Sequence, residues 1–579
     1  MAADFRRTGE LLHSLVFRAE VARCWREAAE EPLRTYLLVE PEELRAIPWE
    51  TMKYRNGGTL FTSTQRPFAR VDGFPEARGP GGDADPFLPI RVLVVEGERD
   101  REIGTATEVR AIKQALSATN GRIEAEFLKA PTRQELIDAY RRSRPQVFHF
   151  IGHTTWDAAA KAPALRLRDD ARDEDQTVTP DLLGYLRPAP RVAVLNACRS
   201  ARTAGEVRAL AGAFFTDEPG VAGAAAVIGM QGDVRGSAAA RFGGEFYRAL
   251  ARGMTVDVAV AAARAEVYAR SGVVGNDGDW FLPVLTVRGD AERALRHRVA
   301  LSRQDATTVD LTLTELIGHF VDRTEERRLM VENLAPAGDD DPARLVVVHG
   351  DKSSGKSNFL HWLRRWCALR GQRVKYVDLR EGTTLDYARA LDAIRVTAED
   401  IPSLTPPADP AAIRPDVVFE PVTHRDDGPP PHVIQEFGRF FEELRVAVDD
   451  TPLVLILDHV DGVVATDFRS YIHPLLINRV VRGELLGLRL VVAMDRSQSG
   501  THWPAAHSRP TRQWIDVGLL DPADFRELAE DALLHFEGDL TDVELGNLDR
   551  FALATEKAWA PSKLADLISL MRDGRRRAS

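Results

Sequence analysis

RVAVLNA (191–197) is a short apolar run followed by Cys198, and VFHFIG (147–152) is a run of the same kind followed by His153. Both are rich in the β-branched and aromatic residues that suit a strand. Apolar strands without polar alternation belong to parallel sheets covered on both faces. Outward from these two, TYLLV (35–39), IRVLVVEG (90–97) and AAAVIGM (224–230) read the same way. EVRAIKQAL (108–116) and RQELIDAYRRS (133–143), which lie between them, have helical spacing. Strands alternating with helices predict an α/β fold with a parallel sheet. Such sheets gather their chemistry just beyond the carboxyl ends of the strands, where Cys198 and His153 are expected.

A thiol is a poor nucleophile until it loses its proton, and a neighbouring imidazole can take that proton and later return it to a leaving amine. His153 and Cys198 are therefore candidates for base and nucleophile. Backbone amides beside Gly152 and Cys198 are candidates for an oxyanion hole. His149, inside its strand, reads as structural. The chain has two other cysteines, Cys24 and Cys367, both in helical patterns where packing explains them. Three widely spaced cysteines give neither a disulfide framework nor a metal-ligand spacing, which suits a reducing cytoplasm.

The stretches around this pair resemble the CHAT family, caspase-like peptidases of clan CD. His149-Phe150-Ile151-Gly152-His153-Thr154 is similar to that family's His-Phe-x-x-His-Gly, and Leu195-Asn196-Ala197-Cys198 to its Leu-x-Ala-Cys. LVEPEELRAIPWETM (38–52), TPDLLGYL (179–186), AVIGMQGDV (226–234), FGGEFYRALARGMTVDVAVAAARAEV (242–267) and DWFLPVL (279–285) follow in the family's order. The resemblance covers 1–290. It implies His153 as base and Cys198 as nucleophile, and the 45-residue separation is close to the ~50 typical of caspases. Thr154 stands where the family has glycine. Relatives with basic specificity carry an acid at a position that aligns with Gly236; here Asp233 lies three residues earlier, and it, Asp169 or Asp170 are the pocket candidates.

The second half carries a different signal. Gly350-Asp351-Lys352-Ser353-Ser354-Gly355-Lys356-Ser357 matches G-x-x-x-x-G-K-[ST] between the apolar run RLVVVHG (344–350) and the helical pattern 356–370. In that context the loop amides cradle phosphates, Lys356 neutralises them and Ser357 ligates Mg²⁺. LILDHVDG (455–462) is an apolar strand ending in an acid: Asp458 is the candidate to hold Mg²⁺ and Asp461 to polarise water. His459 stands where a catalytic acid is usual. Arg496, after LRLVVAMD (488–495), is placed to sense a γ-phosphate. VKYVDL (374–379) is a further strand, and Trp362 and Trp366 share one helix face. ATP, or GTP, with Mg²⁺ is the expected cofactor.

Residues 315–575 resemble the STAND class of regulatory P-loop NTPases, relatives of the AAA+ group. Phe320-Val321-Asp322-Arg323 with Glu325-Glu326 is similar to that class's opening motif, which implies that Arg323 lies near adenine, and VGLLDPADFRELA (517–529) looks like the join to a helical lid.

The expected layout is an N-terminal part of the CHAT domain (1–90), a caspase-like core (91–295), a P-loop NTPase core (296–510) and a lid (511–579). The fold class is thus a caspase-like parallel-sheet α/β sandwich followed by an α/β P-loop domain. Gly73–Pro86 reads as a flexible loop and 401–431 as a Pro-rich excursion. With 76 Lys and Arg against 87 Asp and Glu, the net charge of −11 excludes a global attraction to nucleic acid. No apolar run is long enough for a bilayer. Together the resemblances imply a nucleotide-regulated cysteine endopeptidase with slow ATPase activity. They further imply a bacterial antiphage or regulated-death role. A protein substrate, a trigger protein from the same defence locus and homo-oligomers are the expected partners. The alternative is a catalytically inactive adaptor in a defence complex.

Overall fold

The computed structural model describes residues 2–28, 32–45, 47–54, 58–71, 89–97, 105–117, 119, 121–157, 162–168, 175–178, 186–198, 214–215, 223–270, 278–295, 323–335, 342–352, 354–370, 372–380, 385–395, 429–448, 452–503 and 514–519. They fall into two compact units, one drawn mainly from Met1–Val299 and the other from Val321–Ser579. No helix among the described residues is long and apolar enough to cross a membrane.

The strands of the first unit are β1 (Thr35–Leu37), β2 (Phe68–Val71), β3 (Ile90–Glu96), β4 (Ile123–Lys129), β5 (Val147–Asp157), β6 (Ala162–Arg168), β7 (Asp175–Val178), β8 (Val192–Cys198), β9 (Ala226–Met230) and β10 (Pro283–Val287). The main sheet runs β1-β2-β10-β9-β8-β5-β3-β4. Every neighbouring pair in it is parallel except β9 with β10. That exception departs from the purely parallel expectation. Two helices, Gly236–Ala251 and Val256–Arg270, separate β9 from β10 where one would normally stand, so the chain re-enters the sheet from its other end.

Alternation along the strands divides two layers. Leu93, Val95, Phe148, Phe150, Ala193 and Leu195 pack on one face against Leu136 and Tyr140 of the helix Arg133–Ser143. That helix is started by a capping box: Thr132 Oγ1 accepts from the Glu135 amide, and Glu135 Oε2 accepts from the Thr132 amide at 2.7 Å. The other face carries the helices Thr105–Ser117 and Gly236–Ala251, whose close contact is allowed by Gly243 and Gly244.

A buried ion cluster ties the early PWE segment to this sheet. Glu50 is fully buried and accepts from Arg70 Nε at 2.9 Å and Nη2 at 2.6 Å, and from Gln231 Nε2 at 3.1 Å. Arg264 Nη2 lies 4.0 Å away and donates to the Pro283 carbonyl at 2.6 Å. Burial alone would raise the Glu50 carboxyl, but the guanidinium groups of Arg70 and Arg264 outweigh it and hold it below the ordinary carboxylate range. Burial in turn lowers the Arg264 guanidinium to about 10.

In the second unit β11 (Leu345–Gly350), β12 (Arg373–Asp378), β13 (Leu453–Asp458), β14 (Leu488–Asp495) and β15 (Trp514–Asp516) form an all-parallel sheet ordered β12-β13-β14-β11-β15. The helix Pro431–Val448 lays Val433, Phe437, Phe440 and Leu444 on this sheet. Trp362 and Trp366 are both buried on the helix Lys356–Leu369, with ring centroids 6.5 Å apart. Phe468–Ile477 is a π-helical turn around Pro474, whose missing N–H favours the wider winding. The loop 73–86, most of the Pro-rich excursion and all of the lid beyond residue 519 lie outside the described residues. The last residue of the excursion, Pro431, opens a helix.

Removing the Glu50 carboxylate strands Arg264 as an uncompensated buried charge, a change that typically costs about 3–5 kcal/mol. Glu50→Ala is therefore expected to lower the denaturation midpoint of the first unit strongly. Because the folded carboxyl is held low, the wild-type advantage is complete above the ordinary carboxylate pKa and fades as pH falls through the folded value. Equal midpoints for wild type and Glu50→Ala at neutral pH would refute this role.

Candidate functional site

β5 and β8 are adjacent and parallel, in register from Val147↔Val192 to His153↔Cys198. Neighbouring strands lie about 4.8 Å apart, so His153 and Cys198 stand side by side on the sheet. The sequence reading ended β8 at Ala197, one residue early, and β5 at Gly152, five residues early. β8 includes Cys198, and β5 runs on to Asp157 because β6 pairs with it from Thr154↔Leu165 onward. His153 is thus inside a strand at the point where β5 leaves the main sheet, and it is half-buried.

Space beside Gly152 is tight. A Cβ there would meet the Phe150 ring at 3.1 Å and the Gly97 Cα at 3.4 Å. Asp233 is exposed, in the connection between β9 and the helix Gly236–Ala251. Asp169 and Asp170 lie outside the described residues.

Directly beneath the pair, on the same face by alternation, is a buried polar cluster. His149 Nδ1 lies 2.8 Å from the Tyr247 hydroxyl, and its Nε2 lies 3.4 Å from Glu108 Oε1. Glu108 Oε1 also accepts from Asn196 Nδ2, two residues before Cys198. All four side chains are buried. Burial, with Glu108 nearby, pushes the Tyr247 phenol well up. Sequence reasoning passed over Glu108, Asn196 and Tyr247. The signal was Asn196, a polar residue in an otherwise apolar strand, which demands a buried partner.

The second sheet gathers charge at its carboxyl edge. β12, β13, β14 and β15 end in Asp378, Asp458, Asp495 and Asp516, and β11 ends in Gly350, where the glycine-rich loop begins. Lys356 Nζ donates to the carbonyls of Gly350 at 2.9 Å and Asp351 at 2.8 Å. Burial lowers its ammonium below the ordinary range, against the pull of Asp495, Asp461, Asp458 and Asp351. Asp458 is fully buried: Oδ1 accepts from the His459 amide at 2.8 Å and Oδ2 from the Tyr376 hydroxyl at 2.8 Å. His459 Nδ1 lies 3.0 Å from Asp378 Oδ1, and its Nε2 lies 3.4 Å from Ser357 Oγ. Asp378, Tyr376, Asp495 and Asp516 join the residues that the motifs alone singled out.

Two glycines of the loop differ in their reasons. Gly355 has φ +94°, a left-handed conformation that glycine takes freely. Gly350 is needed because a Cβ would sit 2.0 Å from the Val517 carbonyl oxygen of the chain leaving β15. Arg323 contacts the loop itself: its guanidinium donates to the carbonyls of Ser354 at 3.3 Å and Gly518. Arg496 pairs with Asp516 and lies 3.4 Å from Asp351 of the loop. Asp461 Oδ1 and Ser354 Oγ are buried without a hydrogen-bond partner among the described residues. Orphaned polar atoms beside a lysine held only by its own loop fit a nucleotide with its cation. Among the described residues no three His, Cys, Asp or Glu side chains are grouped to hold a metal ion unaided.

The remaining cysteines part company. Cys367 is buried, and burial pushes its thiol up to about 12. Cys24 is exposed, which corrects the packing expectation. Its helix, Ala19–Glu27, buries none of its residues.

The first unit is thus a mostly parallel α/β sheet with His153 and Cys198 in register on adjacent strands. The chain belongs to the CHAT domain family, which matches residues 6–299. Among solved structures it is similar to the Arg-specific cysteine proteinase gingipain R, with 10% identity over 50% of this chain and 68% of that one, at a TM-score of 0.34. A complex of the Porphyromonas gingivalis RgpB pro- and mature domains gives 13% identity over 51% and 76%, at 0.31. The Aeropyrum pernix ORC1 protein in complex with DNA gives 20% identity over 45% of this chain and 61% of that one, at 0.29. Drosophila ORC bound to DNA likewise is spanned over 61% of its length, at 14% identity and 0.29. No curated protein matches.

Native protein treated with iodoacetamide is expected to gain label on Cys24 and none on Cys367 until it is unfolded, as read by peptide mass spectrometry. Rapid native labelling of Cys367 would contradict its burial. Gly350→Ala is expected to destabilise the second unit by about 1–3 kcal/mol, because the obstacle is backbone rather than a movable side chain. Gly500→Ala, where a Cβ meets nothing within 4 Å, is the matched control and should be nearly neutral.

Proposed function

We propose that this protein is a cysteine endopeptidase controlled by nucleotide, with Cys198 as nucleophile and His153 as base. The observation that carries the reading is the register of β5 with β8, which sets these residues side by side on adjacent parallel strands. The Cys198 thiolate attacks the carbonyl carbon of a peptide bond, and His153 holds the thiol proton and returns it to the departing amine. Water then cleaves the thioester, with His153 again taking the proton. Strand-end amides near Gly152 and Cys198 are the source of oxyanion stabilisation, and Asp233 is the acidic candidate for the substrate pocket.

The second unit supplies the control. Gly350, Gly355 and Lys356 would cradle the phosphates of ATP or GTP, with Ser357 and Asp458 on Mg²⁺, Asp461 facing the attacking water and Arg496 the terminal phosphate. When bound, the nucleotide–Mg²⁺ supplies charge that the loop and its carboxylates are arranged to share. Arg323 acts here by bracing the loop carbonyl of Ser354. A nucleotide shifts the population toward whichever arrangement binds it better, and that arrangement aligns or blocks the Cys198 site. His459 in place of an acid favours slow hydrolysis and a long-lived bound state. The biology this suits is bacterial antiphage defence or regulated death, with a protein substrate and a trigger protein encoded nearby. The second reading, a non-cleaving adaptor, draws on Thr154 and His459.

The test is cleavage of a proteome-derived peptide library by wild type and Cys198→Ala, each with and without ATP·Mg²⁺. Cleavage by wild type alone, changed at least several-fold by ATP·Mg²⁺, is the expected result. Identical profiles for the two proteins under both conditions would favour the adaptor.

A further inference from the structure

We propose that Asp378, His459 and Ser357 form a relay that holds the Ser357 hydroxyl in the orientation needed by a cation ligand. The inference rests on the nucleotide reading of the second unit. It starts from His459, which follows β13 in a left-handed conformation, φ +53° and ψ +47°, where a residue with a Cβ is rarely found. That turn places the ring between two elements. Nδ1 faces Asp378 Oδ1 at 3.0 Å at the end of β12, and Nε2 faces Ser357 Oγ at 3.4 Å in the first turn of the helix Lys356–Leu369.

The donor inventory decides the direction of the bonds. A carboxylate only accepts, so Nδ1 donates to Asp378, and in the tautomer that this contact selects Nε2 presents a lone pair. Ser357 is the donor to that lone pair. With its hydrogen committed, the serine oxygen keeps its own lone pairs for a cation, as carboxylate–histidine partners do for ligands they orient. Asp458 Oδ1 also lies 3.3 Å from His459 Nδ1, but it accepts the His459 amide at 2.8 Å, and Asp378 Oδ1 at 3.0 Å is the nearer partner of the ring.

The connectivity Asp–His–Ser is also that of a hydrolase triad. Lys356, one residue before the serine, and the glycine-rich loop argue for phosphate and cation in place of an acyl substrate.

The experiment titrates the full chain with ATP in saturating Mg²⁺ and again in EDTA, and reads the gain in affinity that Mg²⁺ gives. Ser357→Ala, His459→Ala and Asp378→Asn are each expected to cut that gain about tenfold. A cooperative thermal transition at the wild-type midpoint certifies that each variant is folded. Asp378→Asn keeps size and shape but lets the ring adopt the other tautomer, so a merely structural role would survive it. The double variant Ser357→Ala with His459→Ala should be no worse than Ser357→Ala alone.

Additive losses in the double variant, or a full Mg²⁺ gain in Asp378→Asn, would overturn the relay while the nucleotide reading stands. Labelling of Ser357 by a fluorophosphonate would make it a nucleophile and also overturn the relay. Failure of folded wild type to bind ATP in either buffer would overturn the nucleotide reading and the relay with it.

Discussion

The in-register parallel pairing of β5 with β8, from Val147↔Val192 to His153↔Cys198, sets where the rest of the first unit can lie. Parallel strands point all their carboxyl ends the same way, so both site residues arrive at one edge without any loop having to be steered. The cost is that both faces of these strands must be covered, which the helix Arg133–Ser143 does on one side and the pair Thr105–Ser117 and Gly236–Ala251 on the other. Polar groups on the covered face then need partners. His149, Glu108, Asn196 and Tyr247 bond one another one and two pleats below His153 and Cys198. The Glu50 cluster plays the same part at the far side of β9, where Gln231 and Arg264 meet the PWE segment.

The second unit repeats the constraint with different chemistry. Four of its five strands end in aspartate and the fifth ends in the glycine that begins the loop. Among the described residues Lys356 bonds carbonyls of its own loop while it sits among these carboxylates, and burial weakens its hold on a proton.

Much of this was legible in the residues. The apolar strands announced two parallel sheets, and the spacing of 350–357 announced a glycine-rich loop between β11 and the helix Lys356–Leu369. Three kinds of feature were not. The extension of β5 past Gly152 depends on β6, whose run APALRLR (162–168) carries no strand signal comparable to its neighbours. The antiparallel β10 depends on counting two helices where one is usual. Long-range partners such as Glu108 with Asn196, or Asp378 with His459, are separated by 81 residues or more, and no local periodicity reports them. Cys24 was misread for a related reason: helical spacing predicts a helix, but only tertiary contacts decide which face is covered.

The account rests on His153 activating Cys198, and the most direct test is the pH dependence of Cys198 alkylation in wild type and His153→Ala, with Cys24 as the internal exposed reference. The account predicts that Cys198 reacts with an inflection well below the ~8.5 of an ordinary thiol, and that His153→Ala moves the inflection up toward that value. A Cys198 profile that follows Cys24 in wild type and does not change in His153→Ala would contradict it.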